Sequence, residues 1–352
     1  MKNKALIILF IVLGICGMKE KQVVATENQN DVGFYVTPVT PATQLDLSRS
    51  FFYVKTEPEK EQILKVNVTN TTKEEKTIEI NIANAMSTEN GQIDFQEVLV
   101  KETSLKNSVE ELITTKDKEI TLKSDETKTV EFSMKPSKDH YEGVKMGAIT
   151  FKNKSGEEAN GMVSVYNSYK IDVVLSENGD DFRNGEVLKL KKVGPELNKG
   201  RKVIQAEIQN PESKLVRNLE IKAKLIDKKN NKEIKNIHTI DYGLAPNSVL
   251  PFIFDLGLSN IKPGEYKVKM TITNVDNQWD LEKDFKINNE QAKKLNDESP
   301  FRINTPQWVK FLSILLGISV VVIIIILIKR KNKWQKESKH RKSRRKKGKK
   351  RK

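Results

Sequence analysis

From residue 62 onward the chain alternates apolar and polar positions in short runs. ILKVNVTN places Leu64, Val66 and Val68 on one face and Lys65, Asn67 and Thr69 on the other. KTIEINIANAM repeats the arrangement with Ile78, Ile80 and Ile82 against Glu79 and Asn81. KEITL (Ile120, Leu122), KTVEFSM (Val130, Phe132, Met134), GVKMGAITF and MVSVYNSYKIDVVL follow. A period of two with one polar face is the mark of a half-buried antiparallel strand. Turn-forming clusters separate the runs: Asn70-Thr71-Thr72, Asn90-Gly91 and Lys135-Pro136-Ser137. Short strands at this spacing predict a β-sandwich. One segment departs from the pattern. SLKNSVEELITTKDK carries Ser108 with Glu111 three positions later, a capping-box spacing that predicts a short helix.

SENGDDFRNGE, Ser176 to Glu186, holds two glycines and four acidic residues. The D-x-D-x-D-G spacing of a calcium loop is missing, so a solvated linker is expected. The strand grammar then restarts with VIQAEIQN and LEIKAKLID, continues through KPGEYKVKMTITN with Tyr266, Val268, Met270 and Ile272 on one face, and ends in DNQWDLEKDFKI. In each half a strand ending in Asn is followed by a polar connection and a second alternating strand. The expected fold is all-β: two tandem Ig-like antiparallel β-sandwiches, at residues 32–175 and 186–288, with 162 as an alternative start for the second. Residues 289–307 are polar, contain Pro300 and Pro306, and read as a stalk.

Both ends of the chain carry membrane signals. Lys2 and Lys4 precede an apolar run from Ala5 to Cys16, and Val23-x-Ala25 precedes Thr26, which predicts a signal peptide over residues 1–25. Ile15 is too large for the position before a lipidated cysteine. Near the other end, Phe311 to Ile328 is 18 residues without a charge, extended by Trp308 and Val309 to the length of a membrane span over 308–328. Trp308 and Lys310 sit where an interfacial aromatic and a snorkelling amine belong. Lys329, Arg330 and Lys331 open a basic tail on the far side. Positive charge marks the cytoplasmic face, so the body is expected outside and the tail, 329–352, inside.

Charge changes this picture little. The net charge of +15 invites a nucleic-acid reading, but residues 329–352 hold 16 basic residues and one Glu. Subtracting that tail from the totals of 62 basic and 47 acidic residues leaves 46 of each. The body is neutral. A polybasic run directly inside a span fixes topology and attracts anionic membrane lipid at ~1 kcal/mol per residue, so no nucleic-acid partner is expected. Cys16 is the one cysteine, so the exported part has no disulfide. The three histidines, His140, His238 and His340, form no metal or catalytic motif. We expect no enzyme, no cofactor and no metal.

Aromatic residues are concentrated at the start of the body. GFYVTPVTPATQLDLSRSFFYV, Gly33 to Val54, contains Phe34, Tyr35, Phe51, Phe52 and Tyr53, five of the 23 rings in the chain. Strand alternation sends neighbouring rings to opposite faces. Phe52 and Val54 are expected to join Leu64, Val66 and Ile80 in a core, leaving Tyr35, Phe51 and Tyr53 as candidate ligand-binding residues.

These same residues carry a resemblance. Tyr35-Val36-Thr37-Pro38, Gln44, Phe52-Tyr53, the strand from Val66 to Asn70 and Asn90-Gly91-Gln92-Ile93 resemble the first domain of the WxL-interacting proteins of Gram-positive bacterial surfaces. Glu142 to Phe151 is similar to that family's strand with paired glycines, here Gly147-Ala148. Gln209-Asn210-Pro211, Leu244 to Ser248, Pro263 to Tyr266 and Trp279 fall in the family's order in the second half. The resemblance implies a peptidoglycan-binding first domain, a second domain that binds host extracellular proteins, and partnership with WxL-domain surface proteins at the cell membrane. An adhesion role is expected; a wall sensor or scaffold acting through the basic tail is the alternative.

Overall fold

The computed structural model describes residues 33–95, 102–154, 168–179, 182–183, 185–301 and 306–349. The expected signal peptide lies outside them. Four β-sheets form two sandwiches. The first sandwich pairs a sheet of order β1-β3-β8-β6, formed by Phe34–Val39, Gln62–Asn70, Thr127–Met134 and Ile113–Thr115, with a second sheet. That sheet has the order β2-β10-β9-β4-β5, formed by Phe52–Lys55, Ser168–Ser176, Lys145–Asn153, Lys76–Ser87 and Ile93–Phe95; β7, Glu119–Leu122, also pairs with β4. The β2–β10 pair is parallel, and the other pairs are antiparallel. The second sandwich stacks β11-β12-β15 (Lys189–Asn198, Arg201–Asn210, Ser248–Asp255) on β14-β13-β16-β17 (Lys232–Leu244, Val216–Asp227, Gly264–Thr273, Gln278–Ile287).

The alternation read from the sequence is the alternation of burial. Leu64, Val66, Val68, Ile78, Ile80, Leu122, Val130, Phe132 and Met134 share one core with Phe34, Phe52 and Val54. Ile204, Ala206, Ile208, Ile221, Ala223, Leu225, Val268, Met270 and Ile272 share the other. Each fully buried aliphatic or aromatic side chain contributes about 1.5–3 kcal/mol. The predicted short helix is present with one arm of its capping box: α1 is Val109–Leu112, and the Ser108 N–H donates to Glu111 Oε2 at 2.9 Å.

The strand-ending asparagines have one job in both halves. Asn70 is buried, and its Nδ2 donates to the carbonyls of Glu74 and Lys123, with the Leu122 carbonyl farther off at 3.3 Å, while Oδ1 accepts from the Thr72 N–H. Asn210 is buried too; its Nδ2 donates to the carbonyls of Lys214 and Ala245, and Oδ1 accepts from the Glu212 N–H. A carboxamide can donate twice and accept twice, which suits it to closing a loop that leaves a sheet.

Two segments differ from their sequence reading. Part of the expected stalk is the helix α2, Asn289–Glu298. Asn288 caps it by accepting from the Gln291 N–H, and Ala292 and Leu295 pack on the second core. The stripe facing that core is only two residues wide, which is why the segment reads as polar. Asn296 fixes the helix further by bonding both the N–H and the C=O of Ile261, and Ser299 Oγ donates to the Gly200 carbonyl at 2.7 Å. The junction after β10 is also not a free linker. Phe182 is 9% exposed, and its carbonyl accepts from the Leu215 N–H.

The last helix, α3, runs Gln307–Lys349. Its segment Phe311–Lys331 has a mean hydropathy of 3.3 and buries nothing against the rest of the chain. It is long and apolar enough to cross a membrane. The basic tail continues the same helix. Trp308 is 66% exposed at one end of the apolar segment; Lys329, Arg330 and Lys331 are exposed at the other, and Lys310 lies in the first turns.

Candidate binding surfaces and the seam between the sandwiches

The three candidate aromatics do not converge. Tyr35 neighbours buried Phe34 on β1 and so leaves the first sandwich through the outer face of its sheet, 46% exposed. Tyr53 lies between buried Phe52 and Val54 on β2 and leaves through the opposite sheet. Its ring meets Phe182 edge-on at 5.5 Å. Phe51 and Tyr53 are both partly buried against the same cluster, which joins Ala83, Ala85, Met146, Ala148 and Val174 of the first sandwich to Leu215 and Ala245 of the second. Gln44 sets this edge: its Nε2 donates to the Phe51 carbonyl at 2.9 Å, and its Oε1 accepts from the Tyr53 N–H at 3.2 Å.

The cluster is the apolar part of a seam with dense polar bonding. Ser87 and Ser248 hydroxyls lie 2.6 Å apart, both buried, and Ser87 Oγ accepts from the Ala245 N–H at 2.9 Å. Backbone bonds cross from Val144 N–H to the Ser213 carbonyl and from Gly243 N–H to the Gly91 carbonyl, at 2.7 and 2.8 Å. Glu102 accepts from Lys191 and Gln209. Burial pushes its carboxyl up, but the Lys191 and Thr103 hydrogen bonds outweigh it and hold the group below the usual carboxylate value. Glu89 accepts from Lys199 and Asn198, and those bonds lower its carboxyl as well.

Glycine is required at two places here. Gly143 has φ +77°, and a Cβ there would stand 2.1 Å from the Ser213 carbonyl oxygen. Gly91 has φ +74°, and a Cβ would enter the Tyr242 ring at 2.2 Å. Both positions combine close approach with a backbone that side chains resist.

Among the described residues, three of the shallow surface hollows stand out. One of about 560 Å³ lies on the outer face of β13, β16 and β17, where Lys222, Lys224 and Lys269 face Thr271, Asp280 and Glu282. Its charges are mostly paired: Lys222 with Glu220, Lys224 with Glu233, Lys269 with Glu282. One of about 330 Å³ lies beside the Glu89–Lys199 contact. The third, about 270 Å³, lies at the seam between Gly91–Ile93 and Arg217–Asn218 with Asp241–Gly243. Among the described residues no group of His, Cys, Asp or Glu side chains could hold a metal ion. His140, read as a surface residue, is exposed and bonds Glu177 at 2.8 Å.

Sequence reasoning did not find the seam. Its signals were the short motifs themselves, since Asn90-Gly91, Asn210-Pro211 and Ala245 to Ser248 all meet at or beside it.

Among solved structures, the chain is similar to fimbrial chaperones and a PapD-like domain. The class 5 fimbriae chaperone CfaA is 11% identical, with 71% of this chain and 98% of that one covered at a TM-score of 0.27. The Escherichia coli chaperone DraB is 11% identical over 63% and 88%, at 0.24. A PapD-like domain of human CEP192 is 9% identical over 41% and 84%, at 0.26. At such TM-scores these similarities carry no argument. No curated protein matches the chain. Two family models do match: the WxL-interacting protein peptidoglycan-binding domain over residues 34–153, and the WxL-interacting protein host-binding domain over 159–297. In that order they take in almost the whole folded body, and the chain belongs to the WxL-interacting protein family.

Proposed function

We propose that the protein is a non-enzymatic, membrane-anchored surface adaptor that binds peptidoglycan through its first sandwich and holds WxL-domain proteins. The observation that carries this reading is the ordered pair of binding-domain families on one chain that ends in a single apolar helix. The absence of any recognisable catalytic motif in the sequence supports the non-enzymatic part. Segment 311–331 crosses the membrane with the body outside, and the basic tail meets anionic lipid on the inner face. Host extracellular proteins are the further partner of the second sandwich. Tyr35 remains a surface ring available to a glycan face; Phe51 and Tyr53 serve a ligand only at the margin of the seam.

The test is sedimentation of the full chain, in detergent, with purified peptidoglycan. Co-sedimentation that soluble wall fragments compete away is the expected result. A chain that stays in the supernatant removes the wall-binding half. Co-purification with a WxL-domain protein from solubilised membranes tests the other half, and its failure under conditions that preserve wall binding removes that half alone.

A further inference from the structure

The seam hollow of about 270 Å³ differs from the other two in what lines it. Gln92 comes from the first sandwich; Arg217, Asn218 and Asp241 come from the second, with the Tyr242 ring as an apolar wall. Asn218 and Asp241 are non-glycine residues in the left-handed region, at φ 54° and 60°. Each accompanies a bulge. β13 has one extra residue between Val216 and Leu219, and β14 has one between Thr239 and Tyr242. Bulges of this kind re-aim side chains, and left-handed residues of this kind cost of order 1–3 kcal/mol each. Asn and Asp tolerate that backbone best, but the cost still needs an offset.

The four polar side chains are also unused by the fold. Gln92, Arg217, Asn218 and Asp241 are exposed, and none makes a side-chain hydrogen bond or ion pair among the described residues. Nearby on the same sheet the lysines are paired with acids. Here a guanidinium and a carboxylate line one small hollow without pairing with each other. A guanidinium presents a bidentate fork to a carboxylate, and Asp241 offers an acceptor to an ammonium. The amides of Gln92 and Asn218 can serve either side of a peptide bond. The volume is at or below the range for drug-sized ligands, enough for the end of a chain and too small for its length.

We propose that this hollow captures a peptide terminus bearing a free carboxylate and a nearby amine, with Arg217 on the carboxylate and Asp241 on the amine. The proposal rests on the wall-binding reading for the source of that peptide, since wall glycan carries peptide stems. Because the hollow needs Gln92 from one sandwich and Arg217, Asn218 and Asp241 from the other, the site exists only while the seam is closed.

The experiment is calorimetric titration of the full chain in detergent with dialanine, in L,L and D,D forms, as the free acid, the C-terminal amide and the N-acetyl derivative. The free acid with a free amine should bind at least about tenfold more tightly than either blocked form. Arg217→Gln should abolish the preference for the free acid, and Asp241→Asn the preference for the free amine. Thermal unfolding of both variants checks that the fold is kept, and Lys224→Gln, a change outside the hollow, should leave both preferences intact. Equal binding of free acid and amide, or no binding of any form, overturns the assignment. Sedimentation with peptidoglycan in parallel separates the two readings. Wall binding without a terminus preference overturns this site alone, whereas a terminus preference without wall binding supports the site and overturns the wall reading.

Discussion

The two sandwiches turn different outer faces to their surroundings. In the second, the outer face of β13, β16 and β17 is a board of paired charges, Lys222, Lys224 and Lys269 against Glu220, Glu233 and Glu282. In the first, the outer face of β4, β9 and β10 carries Ala83, Ala85, Met146, Ala148 and Val174, all buried. A strand apolar on one face needs only its own sandwich; a strand apolar on both must be covered twice. The pattern in β4 changes midway. Ile78 and Ile80 obey a period of two, and then Ala83, Asn84 and Ala85 are all buried. Small residues on the second face let Leu215 and Ala245 of the other sandwich approach closely. The first domain is therefore completed by the second, while the second keeps one face for solvent.

The largest test of this asymmetry is to cut the chain where the family boundary falls. β10 belongs to the first sandwich by pairing, between β2 and β9, although the match to the host-binding domain begins at 159. A fragment ending at residue 153 loses Ile171, Val173 and Leu175 from its core. At about 1.5–3 kcal/mol each, their loss rivals the whole stability of an ordinary domain, ~5–15 kcal/mol. We expect the fragment to be unfolded by circular dichroism, and a fragment ending at 176 to regain strand signal. A folded fragment ending at 153 would break the comparison.

The seam glycines give the next effect. Gly143→Ala puts a Cβ 2.1 Å from a backbone oxygen in a left-handed residue, and about 2–3 kcal/mol should be lost. Denaturant unfolding reads the loss. Amide exchange should locate it along the seam, at the Val144 and Leu215 N–H groups, more than in the middle of either core. Ser87→Ala is smaller. It leaves the buried Ala245 N–H without its acceptor, a cost of about 1–3 kcal/mol, and exchange at Ala245 should accelerate.

Acid should give the smallest change. Glu89 and Glu102 are held below the usual carboxylate value of 4.5, Glu89 by Lys199 and Asn198 of the other sandwich and Glu102 by Lys191 of the other sandwich together with its neighbour Thr103. A lowered folded value means the stabilisation is fully present above about pH 4.5 and is lost as pH falls through the lowered value. Glu89 is partly exposed and screened, whereas the Glu102 side chain is nearly buried, so a modest loosening of the seam as pH falls below about 4.5, carried more by Glu102, is expected. Glu89→Gln with Glu102→Gln should flatten that part of the stability profile.

Much of the fold was legible because burial on one face writes itself into alternation. Phe52, Val54, Leu64 and Val66 lie where that alternation put them. The paired Asn70 and Asn210 announced the repeat before their hydrogen bonds explained it. The seam was not legible, because contacts between distant loops leave no period. Phe182, in an acidic, glycine-bearing junction, was one more local sign beside the short motifs. α2 hid behind a two-residue stripe. The hollow at Arg217 and Asp241 was also invisible, since a left-handed backbone at Asn or Asp marks a turn as readily as a site.

The strap that ties α2 and Ser299 to the second sandwich sets how far the body can travel. Only residues 302–306 separate Phe301 from the membrane-crossing helix, and six steps of extended chain reach about 20 Å. For a chain anchored through 311–331, that length holds the base of the second sandwich within about 20 Å of the first turn of the helix. A partner fixed in the same membrane would meet the body at a high local concentration, so even a weak contact could hold.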